Sequence, residues 1–287
     1  MSLDRRAWLA GLGGLGLGAC APRTLARASA TELDLSSLEA GGRIGVQAAR
    51  GARVLSWRAN ERFTYCSTFK LFLAAATLQR VQAGEERLDR PVRITSTDMV
   101  SHAPVTGQAI DRTLTIEALC QATVEVSDNP AANILIREMG GLAAWRDWYR
   151  QIGDVVTNVD RLEPELNDVG DVRDTTTPAQ VVANLDTLFA DSRTQLSSAS
   201  RALLMGWLLG SPTGLNRLRA GVPSGWQVAH KTGTSSAGPV NDIGLLVPPG
   251  EPVIYIAAFW QGPESDDFSL GEAAIAEATR RVIEALN

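Results

Sequence analysis

Apolar and polar side chains alternate near both ends of this chain, whereas in its middle the apolar positions recur every three or four residues. The alternation predicts five strands, over residues 43–48, 54–58, 226–231, 243–247 and 253–260. The helical spacing predicts six helices, over residues 68–82, 116–124, 131–139, 178–189, 198–209 and 270–286. Strands therefore come from both ends of the chain, and most of the helices from between them.

This order predicts an α+β fold in which an antiparallel sheet is built from both termini and flanked by helices. An all-helical lobe is expected to be inserted between the strands. We expect residues 29–62 and 211–287 to form the α/β lobe and residues 63–210 to form the helical lobe. A cleft between two such lobes is the natural place for an active site.

The first 28 residues have the features of an export signal. Arg5 and Arg6 precede a run of Gly, Leu and Ala that is too short to span a bilayer, and an Ala-Arg-Ala sequence at residues 26–28 is typical of a cleavage site. The arginine pair favours the twin-arginine route and hence a periplasmic location. Leu17-Gly18-Ala19-Cys20 is also typical of lipoprotein processing, so membrane association through a lipidated Cys20 is the alternative.

The net charge and the spacing of the histidines and cysteines argue against two kinds of partner, nucleic acids and metal ions. The full chain has 27 basic and 32 acidic side chains; without residues 1–28 these fall to 23 and 31, a formal net charge of −8. Nucleic acids require a basic surface, so we expect no nucleic acid partner. The two histidines, Cys66 and Cys120 stand at no metal-ligand spacing, so we expect no metal and no other cofactor. We expect a monomer in which both cysteines pack as small apolar side chains.

Only two of the 27 basic side chains are lysines, Lys70 and Lys231. Unlike a guanidinium, a lysine amine can lose its proton and act as a base. Both lysines stand in hydroxyl-rich motifs, Ser67-Thr68-Phe69-Lys70 and Lys231-Thr232-Gly233-Thr234, and a third motif, Ser127-Asp128-Asn129, lies between them. Three such motifs in this order indicate an acyl-transfer site with a serine nucleophile.

Each motif taken alone also has a structural interpretation. Ser67 lies at the start of a predicted helix with Lys70 on the same face, so Lys70 can activate its hydroxyl, but Ser67 could equally cap that helix. Asn129 would similarly cap a helix that begins at Pro130. Gly233 would allow a ligand to approach the backbone closely, and the structural alternative for its motif is an ordinary strand end.

Together the three motifs resemble the signature of class A serine β-lactamases, within the superfamily of penicillin-recognising serine enzymes. Residues 161–167, Arg-Leu-Glu-Pro-Glu-Leu-Asn, are similar to the omega loop of that family, expected here over about residues 158–176. The resemblance implies hydrolysis of the β-lactam ring of penicillins and cephalosporins, and hence antibiotic resistance. The alternatives are a D-Ala-D-Ala carboxypeptidase or transpeptidase and a β-lactam-sensing penicillin-binding module, both of which generally lack the deacylating pair of the omega loop.

The resemblance assigns a catalytic role to four residues. Ser67 would attack the lactam carbonyl and form an acyl-enzyme, and either Lys70 or Glu163 acting through a water would accept its proton. Ser127 would pass a proton to the departing nitrogen. Glu163, with Asn167, would then hold and activate the water that hydrolyses the acyl-enzyme. The backbone N–H groups of Ser67 and Thr234 would form the oxyanion hole.

The β-lactam substrate would be held by a second group of side chains. The resemblance implies that these are Asn129, Asn167, Lys231, Thr232, Thr234, Ser235, Arg217 and His102. Asn129 would bind the side-chain amide, and Lys231 with the neighbouring hydroxyls would bind the carboxylate. Arg217 resembles an arginine that some members place behind the carboxylate site, although a surface position is the alternative.

Several positions depart from the family or stand outside its signature. His102 occupies a gate position where the family often has an aromatic residue, and His230 a position that is more often acidic. Cys66 lies where class A carbapenemases have a disulfide, but Ser235 stands at the partner position, which disfavours strong carbapenemase activity. Arg161 and Asp174 are expected to pair and close the omega loop.

Overall fold

A computed structural model describes residues 30–190 and 194–287 of the 287-residue chain. The export signal predicted for residues 1–28, with Cys20, lies outside the described residues. Among the residues described, no helix is long and apolar enough to cross a membrane.

The helices and strands follow the predicted order along the chain. The helices are α1 (Phe69–Gln82), α2 (Ile116–Glu125), α3 (Asn129–Met139), α4 (Gly141–Gln151), α5 (Pro178–Phe189), α6 (Ser198–Gly210), α7 (Leu218–Gly221) and α8 (Ser269–Leu286). The strands are β1 (Thr31–Glu32), β2 (Arg43–Arg50), β3 (Arg53–Trp57), β4 (Phe63–Thr64), β5 (Pro91–Arg93), β6 (Thr113–Thr115), β7 (Thr175–Thr176), β8 (Gln227–Thr234), β9 (Pro239–Val247) and β10 (Ile254–Gln261).

The main sheet has the strand order β1-β3-β2-β10-β9-β8 and is antiparallel from β3 to β8. Its strands come from both ends of the chain, which confirms the α+β class. The five predicted strands are all antiparallel to their neighbours among them, and the sheet gains one further strand that was not predicted, the two-residue β1, which runs parallel to β3 at one edge. At the opposite edge lies β8, which carries the Lys-Thr-Gly-Thr motif. The proposed lobe boundaries stay a prediction.

An apolar cluster covers each face of the main sheet, and the alternating side chains of β10 belong to one cluster or the other. Ile256 and Ala258 pack with α8 in one apolar cluster, whereas Ala257 and Phe259 belong to the larger cluster formed with the other helices. Successive side chains of a strand point to opposite faces, so β10 contributes to both clusters. The sheet is thereby fixed against the helices that carry the serine motifs.

Helix α1 is the central helix of the larger cluster. All ten residues from Phe69 to Leu78 are buried, so the helix is enclosed on every side rather than amphipathic. It begins directly after a short 3-10 helix, Cys66–Thr68, which carries Ser67. Because the first turn is buried, Lys70 lies inside the protein, and this burial lowers the pKa of its side chain.

Helix α4 is not predicted by the sequence patterns. It begins at Gly141 directly after Gly140, which has a φ of +116° and ends α3. A pair of glycines indicates a loop rather than the start of a helix. The helix forms because it buries three aromatic side chains, with the rings of Trp145 and Trp148 stacked at 5.2 Å and Tyr149 against both.

The turn between α2 and α3 is held by Asp128 and not by Asn129, so the alternative interpretation of Asn129 as the helix cap is wrong. The buried Asp128 carboxylate caps α3 by accepting from Ala131 N–H at 2.9 Å. It also accepts from the N–H groups of Val105 and Thr106 and from the Thr106 hydroxyl. Since the capping is done by Asp128, the Asn129 side chain is free to face the site.

Candidate active site

Ser67, Lys70 and Glu163 meet in a triangle of side-chain contacts. Lys70 Nζ donates to Ser67 Oγ at 3.0 Å and lies 2.9 Å from Glu163 Oε1, and Ser67 Oγ lies 3.2 Å from that same oxygen. The Lys70 and Glu163 side chains are fully buried, whereas Ser67 is only partly buried. The hydroxyl is therefore accessible from outside while both groups that can move its proton are shielded from water.

Five oxygen atoms surround the Lys70 ammonium. Besides those of Ser67 and Glu163, they are the carbonyl and hydroxyl of Ser127 and the amide oxygen of Asn129. An ammonium has only three N–H bonds to donate, so these contacts share them. Burial lowers the pKa of Lys70 although the nearby Glu163 opposes this shift. Lys70 therefore loses its proton at a lower pH than an exposed lysine does, and only the neutral amine can act as a base.

Glu163 is fixed by two asparagines that act on different parts of it. Asn133 holds its backbone, donating to its carbonyl at 2.8 Å and accepting from its N–H at 3.0 Å. Asn167 donates to its second carboxylate oxygen, Oε2, at 2.6 Å. Asn133 was not predicted from the sequence. Its spacing of four residues from Asn129 on α3 places both on one face of that helix, which is the signal that could have indicated it.

The omega loop that carries Glu163 is closed by the expected ion pair. Arg161 Nε lies 2.6 Å from Asp174 Oδ2, and Asp174 Oδ1 accepts from the N–H groups of Asp160 and Arg161. Tyr65, just before the Ser67 segment, donates its hydroxyl to the same oxygen at 3.0 Å. This network joins the loop directly to the part of the chain that bears the serine.

Ser127 connects the two lysines. Its hydroxyl accepts from Lys231 Nζ at 3.1 Å and lies 3.3 Å from Lys70 Nζ. Its φ of +60° is unfavourable for a non-glycine residue, and such conformations concentrate at functional sites. Burial lowers the pKa of Lys231 well below its ordinary value, and the neighbouring Lys70 ammonium adds to this. A hydroxyl between two buried amines is well placed to pass a proton.

Beside Lys231 lies a group of hydroxyls and an arginine. The hydroxyl of Thr232 is 3.0 Å from that of Thr213, and Arg217 donates to the Thr234 hydroxyl at 2.9 Å. Arg217 also donates to the carbonyl of Gly233 at 3.2 Å. It is 5% exposed, so the alternative of a surface arginine is wrong. This end of the site combines positive charge with hydroxyl donors, which suits a carboxylate.

Gly233 is required for a close approach between two segments of the protein itself. A Cβ at this position would lie 2.7 Å from the Tyr65 carbonyl and 3.1 Å from the Cys66 Cβ, so glycine is required for the strand to approach the Ser67 segment. The close approach brings the stretch that carries Thr234 beside the stretch that carries Ser67, as a shared oxyanion hole needs. That role of the two N–H groups stays a prediction.

The two remaining side chains predicted to contact the substrate, His102 and Ser235, lie at the rim of the active site. His102 is exposed, and its ring Nε2 lies 2.9 Å from the Val126 carbonyl. The Ser235 hydroxyl donates to the Asn167 carbonyl at 3.3 Å and so links the β8–β9 turn to the omega loop. Contact of these two side chains with a substrate stays a prediction.

Cysteine and metal chemistry are two further possibilities at this site. Burial raises the pKa of the Cys66 thiol, and the nearby Glu163 raises it further, so the thiol next to Ser67 stays protonated and is a poor nucleophile. Cys66 and Cys120 are both free thiols. Within residues 30–190 and 194–287, no group of three or more His, Cys, Asp or Glu side chains is arranged to hold a metal ion.

Comparisons with known proteins agree with this geometry. Residues 30–286 match the model of the β-lactamase enzyme family. The carbapenem-hydrolysing β-lactamase KPC of Klebsiella oxytoca is 41% identical over 252 residues, covering 86% of this chain and 85% of that protein. The β-lactamase FAR-1 of Nocardia farcinica is 39% identical over 251 residues, covering 86% of this chain and 79% of that protein.

Solved structures of class A β-lactamases are also similar to this protein. An ancestral class A β-lactamase has a TM-score of 0.83 at 46% identity, covering 88% of this chain and 98% of that one. The class A β-lactamase of Mycobacterium abscessus has a TM-score of 0.82 at 41% identity, covering 88% and 97%. The chain therefore belongs to the β-lactamase enzyme family and is a class A serine β-lactamase.

Proposed function

We propose that this β-lactamase hydrolyses penicillins and cephalosporins through an acyl-enzyme on Ser67, which Glu163 resolves by activating a water. One observation carries the proposal: Ser67 Oγ lies within hydrogen-bond distance of both Lys70 Nζ and Glu163 Oε1. A free serine hydroxyl is a poor nucleophile, and a buried base beside it supplies the missing activation. The alternatives, a peptidase or a sensor, do not require a glutamate held in this position.

The first half of the reaction opens the lactam ring. Ser67 Oγ bonds to the lactam carbonyl carbon as its proton leaves to Lys70 or, through a water, to Glu163. The carbon–nitrogen bond then breaks, and Ser127, bonded to Lys231, supplies a proton to the ring nitrogen. Lys231, Thr232 and Thr234 hold the substrate carboxylate in the meantime. The net acidic charge of the chain does not prevent this, because the local positive field dominates inside a cleft.

The second half releases the product. Asn133 and Asn167 fix both the backbone and the carboxylate of Glu163, so its Oε1 keeps one position next to the Ser67 ester. A water between them would lose its proton to Glu163 and attack the ester carbon. The bond from that carbon to Ser67 Oγ would then break, and Oγ would take back a proton from Glu163 or Lys70. Such positioned general-base catalysis is worth about 10²- to 10⁴-fold in rate. This step distinguishes a hydrolase from a protein that merely becomes acylated.

Removal of the Glu163 carboxylate tests the proposal directly. Glu163→Gln should slow deacylation by about 10²-fold or more while a penicillin still acylates Ser67. Intact-protein mass spectrometry should then show a lasting gain equal to the whole penicillin, because ring opening expels no fragment. The matched control is Glu165→Gln, an exposed carboxylate of the same loop, which should behave like the parent. A Glu163→Gln variant that turns over like the parent, or a parent that stays acylated, would contradict the hydrolytic mechanism.

The two lysines should respond differently to the same substitution. Lys70→Arg should lower kcat/KM by about 10²- to 10⁴-fold, because arginine keeps its proton and cannot act as a base. Lys231→Arg should cost only about tenfold, because positive charge is what the carboxylate requires there. Steady-state kinetics with one penicillin and one cephalosporin measures both losses. Equal losses at the two positions would refute this division of roles.

We also propose export to the periplasm through the twin-arginine route, motivated by the Arg5-Arg6 pair. Replacing both arginines with lysine should then retain the protein in the cytoplasm, as measured by fractionation of cells that make it. In the alternative, a lipid anchor on Cys20, Cys20→Ala should move the protein from the membrane fraction to the soluble one. Normal export of the double-lysine variant would exclude the twin-arginine route.

A further inference from the structure

The buried residue Tyr65 joins the segment that carries Ser67 to the omega loop that carries Glu163. Its hydroxyl donates to Asp174 Oδ1 at 3.0 Å, and its backbone N–H donates to the Asp174 carbonyl at 3.2 Å. Tyr65 and Asp174 are 3% and 0% exposed, so water does not compete for either bond. Neither residue takes part in the reaction steps proposed for the site. A phenylalanine would fill nearly the same space as Tyr65, so the hydroxyl needs a separate explanation.

On the nucleophile side, Tyr65 holds the short turn that presents Ser67. Its carbonyl accepts from the N–H of Thr68 at 3.3 Å and from the Thr68 hydroxyl at 2.8 Å. Cys66, between Tyr65 and Ser67, has a φ of +46°. This conformation is unfavourable for a residue with a side chain and persists only where the surrounding contacts fix the backbone. The position of Ser67 is thus tied to that of Tyr65.

On the omega-loop side, the Asp174 carboxylate holds the residues that lead to Glu163. Its Oδ1 accepts from the N–H groups of Asp160 and Arg161 at 2.9 and 3.1 Å. Its Oδ2 accepts from Arg161 Nε at 2.6 Å, and Arg161 is two residues before Glu163. The Tyr65 hydroxyl shares Oδ1 with the two N–H groups, so it acts on the oxygen atom that positions this stretch of the loop.

The Tyr65 hydroxyl stays protonated and therefore remains a donor. Burial raises the pKa of Tyr65 well above its ordinary value, and the nearby Asp174 carboxylate raises it further. The single hydrogen of the hydroxyl is directed at a carboxylate that is paired with Arg161. Hydrogen bonds to a carboxylate are stronger than those between neutral groups. This bond can therefore help to hold the two segments at a fixed spacing.

We propose that Tyr65 is a positioning residue, which fixes the spacing between Ser67 and Glu163 and acts mainly on hydrolysis of the acyl-enzyme. The inference rests on the proposed function, because it assigns Tyr65 to the step that Glu163 catalyses. Ser67 Oγ and Glu163 Oε1 are 3.2 Å apart, and the water that attacks the ester needs a defined position next to both. A displacement of about 1 Å can cost about 10²-fold in rate, so a smaller shift of Glu163 should also slow this step.

Acylation and deacylation depend differently on this spacing. Lys70 Nζ lies 3.0 Å from Ser67 Oγ, and both residues belong to the continuous helical segment that follows Tyr65. Loss of the Tyr65 hydroxyl therefore leaves their distance nearly unchanged. Glu163 instead reaches the site from the omega loop, whose attachment to this segment the hydroxyl strengthens. Deacylation, which needs Glu163, should therefore slow more than acylation.

Tyr65→Phe tests this difference, because it removes the hydroxyl and keeps the ring that packs against Phe69. Rapid-quench experiments with one penicillin, followed by intact-protein mass spectrometry, give the rate constants of acylation and deacylation separately. The deacylation rate constant should fall by about five- to tenfold and the acylation rate constant by less than about twofold. The acylated fraction at steady state should rise, while kcat/KM, which reports the steps up to acylation, should change little.

Tyr149→Phe is the matched control, because Tyr149 is a second buried tyrosine. It lies on α4, and its ring packs against Trp145 and Phe72. Loss of its hydroxyl should leave the ratio of the two rate constants at the parental value. Thermal unfolding of both variants measures stability separately, and a partly unfolded sample lowers the amount of active enzyme without changing that ratio.

A second experiment asks whether the Tyr65 hydroxyl acts through Glu163. In Glu163→Gln the general base is already lost, so adding Tyr65→Phe should leave the slow residual deacylation unchanged. The same fold-loss in this background as in the parent would overturn the proposal. So would a parental ratio of rate constants in Tyr65→Phe, whatever its Tm. Failure of the proposed function would look different, because the parent itself would then form no acyl-enzyme on Ser67 or would not hydrolyse it.

Discussion

The buried ion pair of Lys70 and Glu163 is the interaction on which the rest of the active site depends. Taking two charges out of water costs several kcal/mol for each ion, and their attraction compensates only when other groups satisfy the remaining atoms. Here Ser127 and Asn129 accept from the ammonium, and Asn167 donates to the second oxygen of the carboxylate. Helix α1, the α2–α3 turn and the omega loop must therefore all be in place together, and this requirement couples catalysis to the fold.

The fold is largely predictable because its elements are long and regularly patterned. The predicted strands and helices differ from the observed ones by at most four residues at an end, and strands from both termini meet in one sheet. The failures have local causes. Helix α4 has apolar residues at helical spacing, but the glycine pair at its start indicates a loop and obscures that pattern, and β1 is only two residues long.

The site is predictable where its residues form contiguous motifs, and not where it depends on contacts distant in sequence. The three hydroxyl motifs and the omega loop are enough to indicate Ser67 and its partners. Asn133 acts on Glu163 from another element, and no local pattern connects the two residues. The sequence does not indicate that Gly233 packs against the Ser67 segment, because a close approach between two chain segments cannot be inferred from one of them.

The central claim is that Ser67, activated inside this buried network, forms the ester that Glu163 resolves. The most direct measurement is a crystal structure of the Glu163→Gln protein after exposure to a penicillin. The account predicts continuous density from Ser67 Oγ to the acyl carbon, with the ester carbonyl oxygen about 3 Å from the N–H groups of both Ser67 and Thr234. It also predicts the penicillin carboxylate against Lys231. Density on a different side chain, or an ester carbonyl directed away from both N–H groups, would contradict it.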